Sequence, residues 1–280
     1  MHCKSKTIIQ HNSKLFKILH IIVRIGFKVT LLMHKVLNVV WHQSYLILAV
    51  YEGTVLSIFP KKILARFTSI SYDSSFKYRD DKQALLGLFN WEMKLIELFG
   101  ENISKIIVIG AGNGREPIAL NKAGFEVEAY ECNYSIYMNG ERIIRNENIN
   151  IKFEILPENV LPINSRCDIF WFGWGVYTHI VEKNERETML TNIKHLLNDH
   201  GIVVISFWSE NRSLSYINLL MKSSNIIRLR KVERGESLMN SLWGKFFTKD
   251  ELLLETKEFG YECLYYEQFP FSHAVLMPIK

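Results

Sequence analysis

Three glycines at alternate positions, Gly110, Gly112 and Gly114, follow an apolar run in the stretch IIVIGAGNGREPIAL. Without a Cβ, such residues let the chain turn sharply and approach a bound group closely. A strand, a tight turn and a helix start in that order form a cradle for the adenosine part of a cofactor. Glu131 closes a second strand-like run, FEVEAYEC, 21 residues after Gly110. A carboxylate there can accept hydrogen bonds from both hydroxyls of a ribose. Further on, LPENVLPINSRCDIFWFGWGVYTHI brings Gly173, Trp174, Tyr177 and His179 to the end of another apolar run. An imidazole ionises near neutrality, so His179 could take a proton from an acceptor hydroxyl, with Tyr177 as the other candidate base. The implied chemistry is to grip a nucleoside and remove a proton beside it. Cys3, Cys132, Cys167 and Cys263 are far apart and no Cys/His ligand spacing occurs. A disulfide framework or a zinc site is therefore not expected, and a reducing cytoplasm fits.

These residues need a sheet to hold them. In DDKQALLGLFNWEMKLIELFG, Leu85, Leu88, Phe89, Met93, Ile96 and Phe99 recur near a helical period, and Gly100 is a stop. The chain then alternates. IIVIG, FEVEAYEC, INIKFEIL, CDIFWFGW and GIVVISFW read as strands. REPIALNKAG, SIYMNGERIIRNEN and NERETMLTNIKHLLNDHG read as helices, the last closing at Gly201. Such alternation implies parallel βαβ units. YECLYYEQF and HAVLMPI follow with a link too short for a crossover, which predicts an antiparallel hairpin. The expected fold is α/β: a Rossmann-like, doubly wound sheet of about seven strands, a C-terminal antiparallel hairpin and an N-terminal helical extension.

That ending, with the glycine turn, resembles the class I S-adenosylmethionine (SAM)-dependent methyltransferases from Tyr72 to Lys280. VIGAGNGRE is GxGxG followed by Arg115, so a bulky residue stands where a dinucleotide fold uses its third glycine. GLFNWE ahead of GAGNGRE is similar to a subgroup of bacterial methyltransferase-like proteins. The resemblance implies SAM as cofactor, held by Gly110, Ala111, Gly112, Gly114 and Arg115, with Glu131 on the ribose and Cys132 beside the adenine. Glu158 or Asn159 would replace the adenine-contacting acid, whose place Pro157 takes, and Val108 stands where many relatives have Asp or Glu. Gly173 and Trp174 would border the adenosine or the acceptor, and His179 or Tyr177 would serve as base. Arg115 has two readings, an ion pair with Glu92 or a contact to the SAM carboxylate. The implied acceptor is an O or N of a small or lipid-linked molecule; no [DN]PP[FYW] or Pro-Cys motif is present. An NAD(P)-dependent oxidoreductase and a non-catalytic SAM-binding scaffold are the alternatives.

Pro60-Lys61-Lys62 and SISYDSS suggest a boundary near residue 70, dividing a basic amphipathic extension (1–70) from a methyltransferase-like domain (71–280). The net charge of +5 is uneven, since ten basic residues and one acid, Glu52, lie between Met1 and Arg66. Lys17, His20, Arg24 and Lys28 recur at helical spacing among aliphatics, and Arg24 and Lys28 speak against a signal peptide. The helix either packs on the domain or meets a membrane surface through residues 1–66. Nucleic acid ranks last, because few aromatics accompany the charge. The run Arg228, Arg230, Lys231 and Arg234 is either a solvated face or a guide for an anionic acceptor.

Overall fold

The computed structural model describes residues 3–279, with 164, 228, 240 and 241 excepted. Seven strands form the main sheet: β1 (Lys105–Ile109), β2 (Glu126–Glu131), β3 (Lys152–Ile155), β4 (Cys167–Phe172), β5 (Leu197–Ser206), β9 (Tyr261–Glu267) and β10 (His273–Pro278). Their order is β3-β2-β1-β4-β5-β10-β9. The first five run parallel, and β10 lies antiparallel to both β5 and β9. Ile106, Ile107 and Val108 are all fully buried, as a parallel strand covered on both faces requires.

Helices α4 (Asn90–Phe99), α5 (Arg115–Lys122) and α6 (Tyr134–Asn146) cover one face, where Trp91, Ile118 and Ile143 meet Val108 and Trp171. Helices α7 (Lys183–Ile193) and α9 (Lys249–Glu258) cover the other, where Leu190 and Leu252 meet Phe170 and Val203. The chain leaves β1 toward β2 and β3, then returns to place β4 on β1's other side. The crevice at this reversal, outside the carboxyl ends of the strands, is where such sheets bind ligands.

Two helices are shorter than their sequence period suggests. In the run from Leu85 to Phe99, Leu85, Leu88 and Phe89 precede α4, which begins at Asn90. The other run extends to Gly201, yet α7 ends at Ile193. The Leu196 carbonyl instead accepts from the Cys167 N–H at 2.8 Å, Leu197 pairs with Cys167, and Asp168 accepts from the Asn198 amide at 2.7 Å. Pairing with β4 overrides the local helical preference.

The N-terminal chain forms α1 (Cys3–Ile58) and α2 (Lys61–Ser74), and a four-residue α3 (Asp81–Ala84) follows. Between β5 and α9 lie β6 (Trp208–Ser209), α8 (Leu214–Ile227), β7 (Glu236–Met239) and β8 (Leu242–Phe247), with the three strands in a small second sheet. Ala49, Leu56 and Leu64 share a third core with Tyr216, Leu220 and Trp243, so the N-terminal helices pack on this insertion. Glu52 is its polar anchor, accepting from the Tyr216 and Ser237 hydroxyls and the Leu238 N–H. In the basic run, Arg230 is held by Glu236 at 2.6 Å and by the Leu56 carbonyl at 2.9 Å; Arg228 lies outside the described residues.

Candidate active site

The turn after β1 alternates into the left-handed region at Gly110, Gly112 and Gly114, with φ of 62°, 58° and 94°. Gly173 and Gly112 are each closely approached, for separate reasons. At the strand reversal, a Cβ on Gly173 would lie 2.3 Å from the Gly110 carbonyl oxygen, so the turns after β1 and β4 touch through backbone alone. At Gly112, a Cβ would come within 3.1 Å of the Tyr78 ring. The Ala111 N–H donates to the Tyr130 carbonyl at 3.0 Å, tying the turn to β2.

Glu131 lies at the end of β2, 6% exposed. Its Oε1 accepts from the N–H groups of Cys132 and Asn133 at 2.9 and 2.8 Å, and its Oε2 accepts from the Gly112 N–H at 2.8 Å. A carboxylate offers about four acceptor sites, so Oε2 keeps one for a ligand hydroxyl. Burial raises the Glu131 pKa, with the backbone N–H donors opposing it. Cys132 follows on the solvent-exposed side; partial burial and the carboxylates of Glu131 and Glu158 push its thiol pKa up. Glu158 thus lies within electrostatic reach of Cys132. Asn159 is exposed and its amide donates to Glu185 of α7 at 3.2 Å, which directs it away from Glu131.

Arg115 takes the first of its two expected roles. Its guanidinium meets the Glu92 carboxylate in a two-pronged contact at 2.6 and 2.7 Å, reaches Glu116 at 2.8 Å and the Gly87 carbonyl at 3.0 Å, and stacks on Phe89 at 3.8 Å. Burial opposes its charge, but Glu116 and Glu92 together raise its pKa. Glu116 also accepts from the Trp174 N–H at 3.1 Å, which links the two turns. The Trp174 ring rests between Phe89 and Phe271 and stays 37% exposed at the crevice rim.

The two candidate bases part company. Tyr177 is fully buried in the core beneath the sheet, its hydroxyl 3.4 Å from Glu255, which is itself clamped by Arg186 at 2.7 Å. The sequence expectation of a catalytic Tyr177 is thus corrected: the left-handed Gly175 turns the chain into a short 3-10 segment, Val176–His179, and its second residue points into the core. His179 is half-buried, with Nδ1 2.9 Å from the Trp243 carbonyl and Nε2 2.6 Å from the Tyr72 hydroxyl. Burial lowers its pKa against the Trp243 hydrogen bond.

Tyr72 and Tyr78 were missed at the sequence level, because the polar run around them reads as a linker. They meet edge to face at 5.4 Å. Burial raises the pKa of Tyr72 well above its ordinary value, and Tyr78, Glu131 and Cys132 add to the rise. The phenol therefore lies within electrostatic reach of the Glu131 carboxylate. Trp208 completes the aromatic wall, edge to face with His179 at 5.3 Å. Among the described residues no group of His, Cys, Asp and Glu could hold a metal.

The residues present fit a nucleoside in their chemistry: a turn that a Cβ would obstruct, a fixed carboxylate with acceptor capacity, and aromatics beside it. Residues 98–211 match the family model for tellurite resistance protein TehB. The chain is 29% identical over 141 residues to the ubiquinone/menaquinone biosynthesis C-methyltransferase UbiE of Campylobacter jejuni strain 81-176, covering 47% of this chain and 57% of that protein. The chain thus spans little more than half the length of the curated relatives it matches. Among solved structures, a SAM-dependent methyltransferase of Methanosarcina mazei has a TM-score of 0.54 at 16% identity, over 69% of this chain and 99% of that one. One from Clostridium acetobutylicum has a TM-score of 0.52 at 9% identity, over 75% and 95%. With the sheet order, the reversed β10 and the glycine turn pointing the same way, the chain belongs to the class I SAM-dependent methyltransferase superfamily.

Proposed function

We propose that this protein transfers a methyl group from SAM to an oxygen or nitrogen of a small or lipid-linked acceptor. One observation carries the reading: Tyr72 is hydrogen-bonded to His179 and meets Tyr78 edge to face, and Tyr78 lies against Gly112, whose N–H donates to Glu131, so a proton path and a nucleoside grip share one crevice. When bound, SAM supplies an electrophilic methyl on its sulfonium. Glu131, Gly112 and the turns through Gly110, Gly114 and Gly173 hold the nucleoside, while Glu158 and Cys132 border its base. The Tyr72 oxygen accepts a hydrogen bond from the acceptor O–H or N–H. As the acceptor attacks, its proton moves to Tyr72 and the Tyr72 proton moves to His179 Nε2. His179 Nδ1–H stays on the Trp243 carbonyl, which orients the ring and supports the imidazolium. Alignment of donor and acceptor can supply up to about 7–11 kcal/mol of the acceleration.

Calorimetric titration with SAM and with NADH, followed by transfer of labelled methyl into cell extract, tests this. SAM binding with label appearing on an extract component is expected. Binding of NADH alone would favour an oxidoreductase, and SAM binding from which no label leaves would favour a scaffold. The position of the label on the product separates oxygen and nitrogen from carbon.

A further inference from the structure

We infer that α1 is a docking helix for an anionic lipid surface. It runs unbroken from Cys3 to Ile58, about 84 Å at 1.5 Å per residue. Its last turns are fixed to the insertion: Ala49 and Leu56 are fully buried, and a Cβ on Gly53 would lie 2.3 Å from the Leu220 carbonyl oxygen of α8. At 100° per residue, Ala49, Glu52, Gly53 and Leu56 fall on one side of the helix. The opposite side is exposed and mostly apolar, with Gln43 and Ser44 as polar residues on it. Leu32 is 63% exposed, Trp41 76% and Ile47 69%, and Met33, Leu37 and Val40 are exposed with them. Leu31 apart, the large exposed apolar side chains from Ile25 to Tyr51 lie within an arc of roughly 200°. Lys28 and Lys35, exposed and seven residues apart, lie along one edge of that arc, and Lys17 and Arg24 are likewise seven residues apart in the sequence.

Charge selects the occupant. Before Glu52, α1 carries seven basic residues and no acid. Two copies packed along these arcs would bring like charges together, whereas anionic headgroups neutralise them. Among the described residues no helix is long and apolar enough to cross a membrane. A helix with a wide apolar arc edged on one side by lysines suits the plane of the interface, its apolar side among the acyl chains.

Co-sedimentation of the full chain with vesicles tests the inference, and needs no methyl transfer. Binding to mixed phosphatidylcholine–phosphatidylglycerol vesicles is expected, with little binding to phosphatidylcholine alone and weakening as salt rises. Lys28→Glu with Lys35→Glu, and separately Leu37→Glu with Trp41→Glu, should each lower binding at least about tenfold. Both pairs lie outside the buried seat at residues 49–56, and an unchanged thermal midpoint verifies that the fold is intact. Equal binding to both vesicle types, no binding, or a solution dimer that Leu37→Glu with Trp41→Glu dissociates while vesicles are ignored would each overturn the inference.

Discussion

The Tyr72 hydroxyl and His179 Nε2 lie 2.6 Å apart, although 107 residues separate them in sequence. The Trp243 carbonyl can only accept, so His179 Nδ1 carries the proton and Nε2 is left to accept from Tyr72. The arrangement holds the phenol O–H toward the imidazole and leaves a lone pair of the phenol oxygen for the acceptor. Tyr72→Phe removes the first member of this relay without emptying its volume. Methyl transfer should fall about 100-fold, the lower range for a positioned proton-transfer group, with SAM affinity unchanged. Single-turnover transfer beside calorimetry checks this; equal losses in both would place Tyr72 in cofactor binding instead.

His179 also sets a pH limit. Burial holds its pKa below the ordinary imidazole value, so the ring is neutral at pH 7 and can accept a proton. Activity through this group should be flat across neutrality and decline only as pH falls through the lowered pKa. The same shift acts on stability with the same sign. The unfolded chain takes up this proton at higher pH than the folded chain, so the contribution is complete above the unfolded value and diminishes on acidification. A pH–rate profile with an acidic limb at or above the ordinary imidazole value would contradict this assignment.

Glu131 and Gly112 should govern cofactor affinity. The Glu131 carboxyl is raised by burial, so acidification protonates it earlier than an ordinary glutamate, and SAM affinity should weaken above the usual carboxylate range of about 4.3. Glu131→Ala leaves the Gly112, Cys132 and Asn133 N–H groups without their acceptor and removes the ribose contact. A loss of about 10- to 100-fold in SAM affinity is expected, corresponding to about 1–3 kcal/mol. Gly112→Ala adds a methyl at φ 58° against Tyr78, and its loss of affinity should be partly restored by Tyr78→Ala. Titration calorimetry on the four variants reads these effects.

The seven-strand sheet, the reversed last strand, the glycine turn and Glu131 were legible because each rests on local pattern. Apolar runs mark buried strands, and glycines mark left-handed turns. The Arg115–Glu92 alternative was legible from spacing, but choosing it required the tertiary structure. What the sequence hid is long-range. Tyr72 and Tyr78 sit in a polar run that reads as a linker, and only the docking of α2 on β8 and α6 brings them over the crevice. Tyr177 and His179 are equivalent on paper; two residues of a 3-10 turn send one into the core and the other to the crevice. Glu52, on the extension side of residue 70, is anchored by partners 164 to 186 residues away in the insertion, a contact that no local pattern signals.

The Arg115–Glu92 pair should be a stability element. Its side chains are 8% and 0% exposed, and burial pushes the Glu92 carboxyl up while Arg115 draws it back. Arg115→Ala leaves the buried Glu92 carboxyl with the Phe89 N–H but without its cation, and should destabilise the fold by about 3–5 kcal/mol. Arg115→Met with Glu92→Leu removes both charges and should recover much of that loss, since Glu116 retains the Trp174 N–H as a donor. Urea midpoints of the two variants test it, and a double variant no more stable than Arg115→Ala would show that the two side chains act separately.

Tyr177→Phe supplies the matching negative control for Tyr72→Phe. The Tyr177 hydroxyl makes a long 3.4 Å contact with Glu255, whose carboxylate remains held by Arg186 Nε and Nη2 at 2.7 Å after the hydroxyl is gone. Its ring keeps its packing on Phe172 and Phe247. Loss of a hydrogen bond of this kind costs about 0.5–1.5 kcal/mol, so the unfolding midpoint should shift slightly. Transfer rate and SAM affinity should both stay at the unsubstituted level, because the phenol faces the core and touches nothing at the crevice. Measured side by side, the two tyrosine-to-phenylalanine variants remove the same atom from opposite sides of one short turn. A large rate loss at Tyr177 together with none at Tyr72 would reverse the assignment of the proton path.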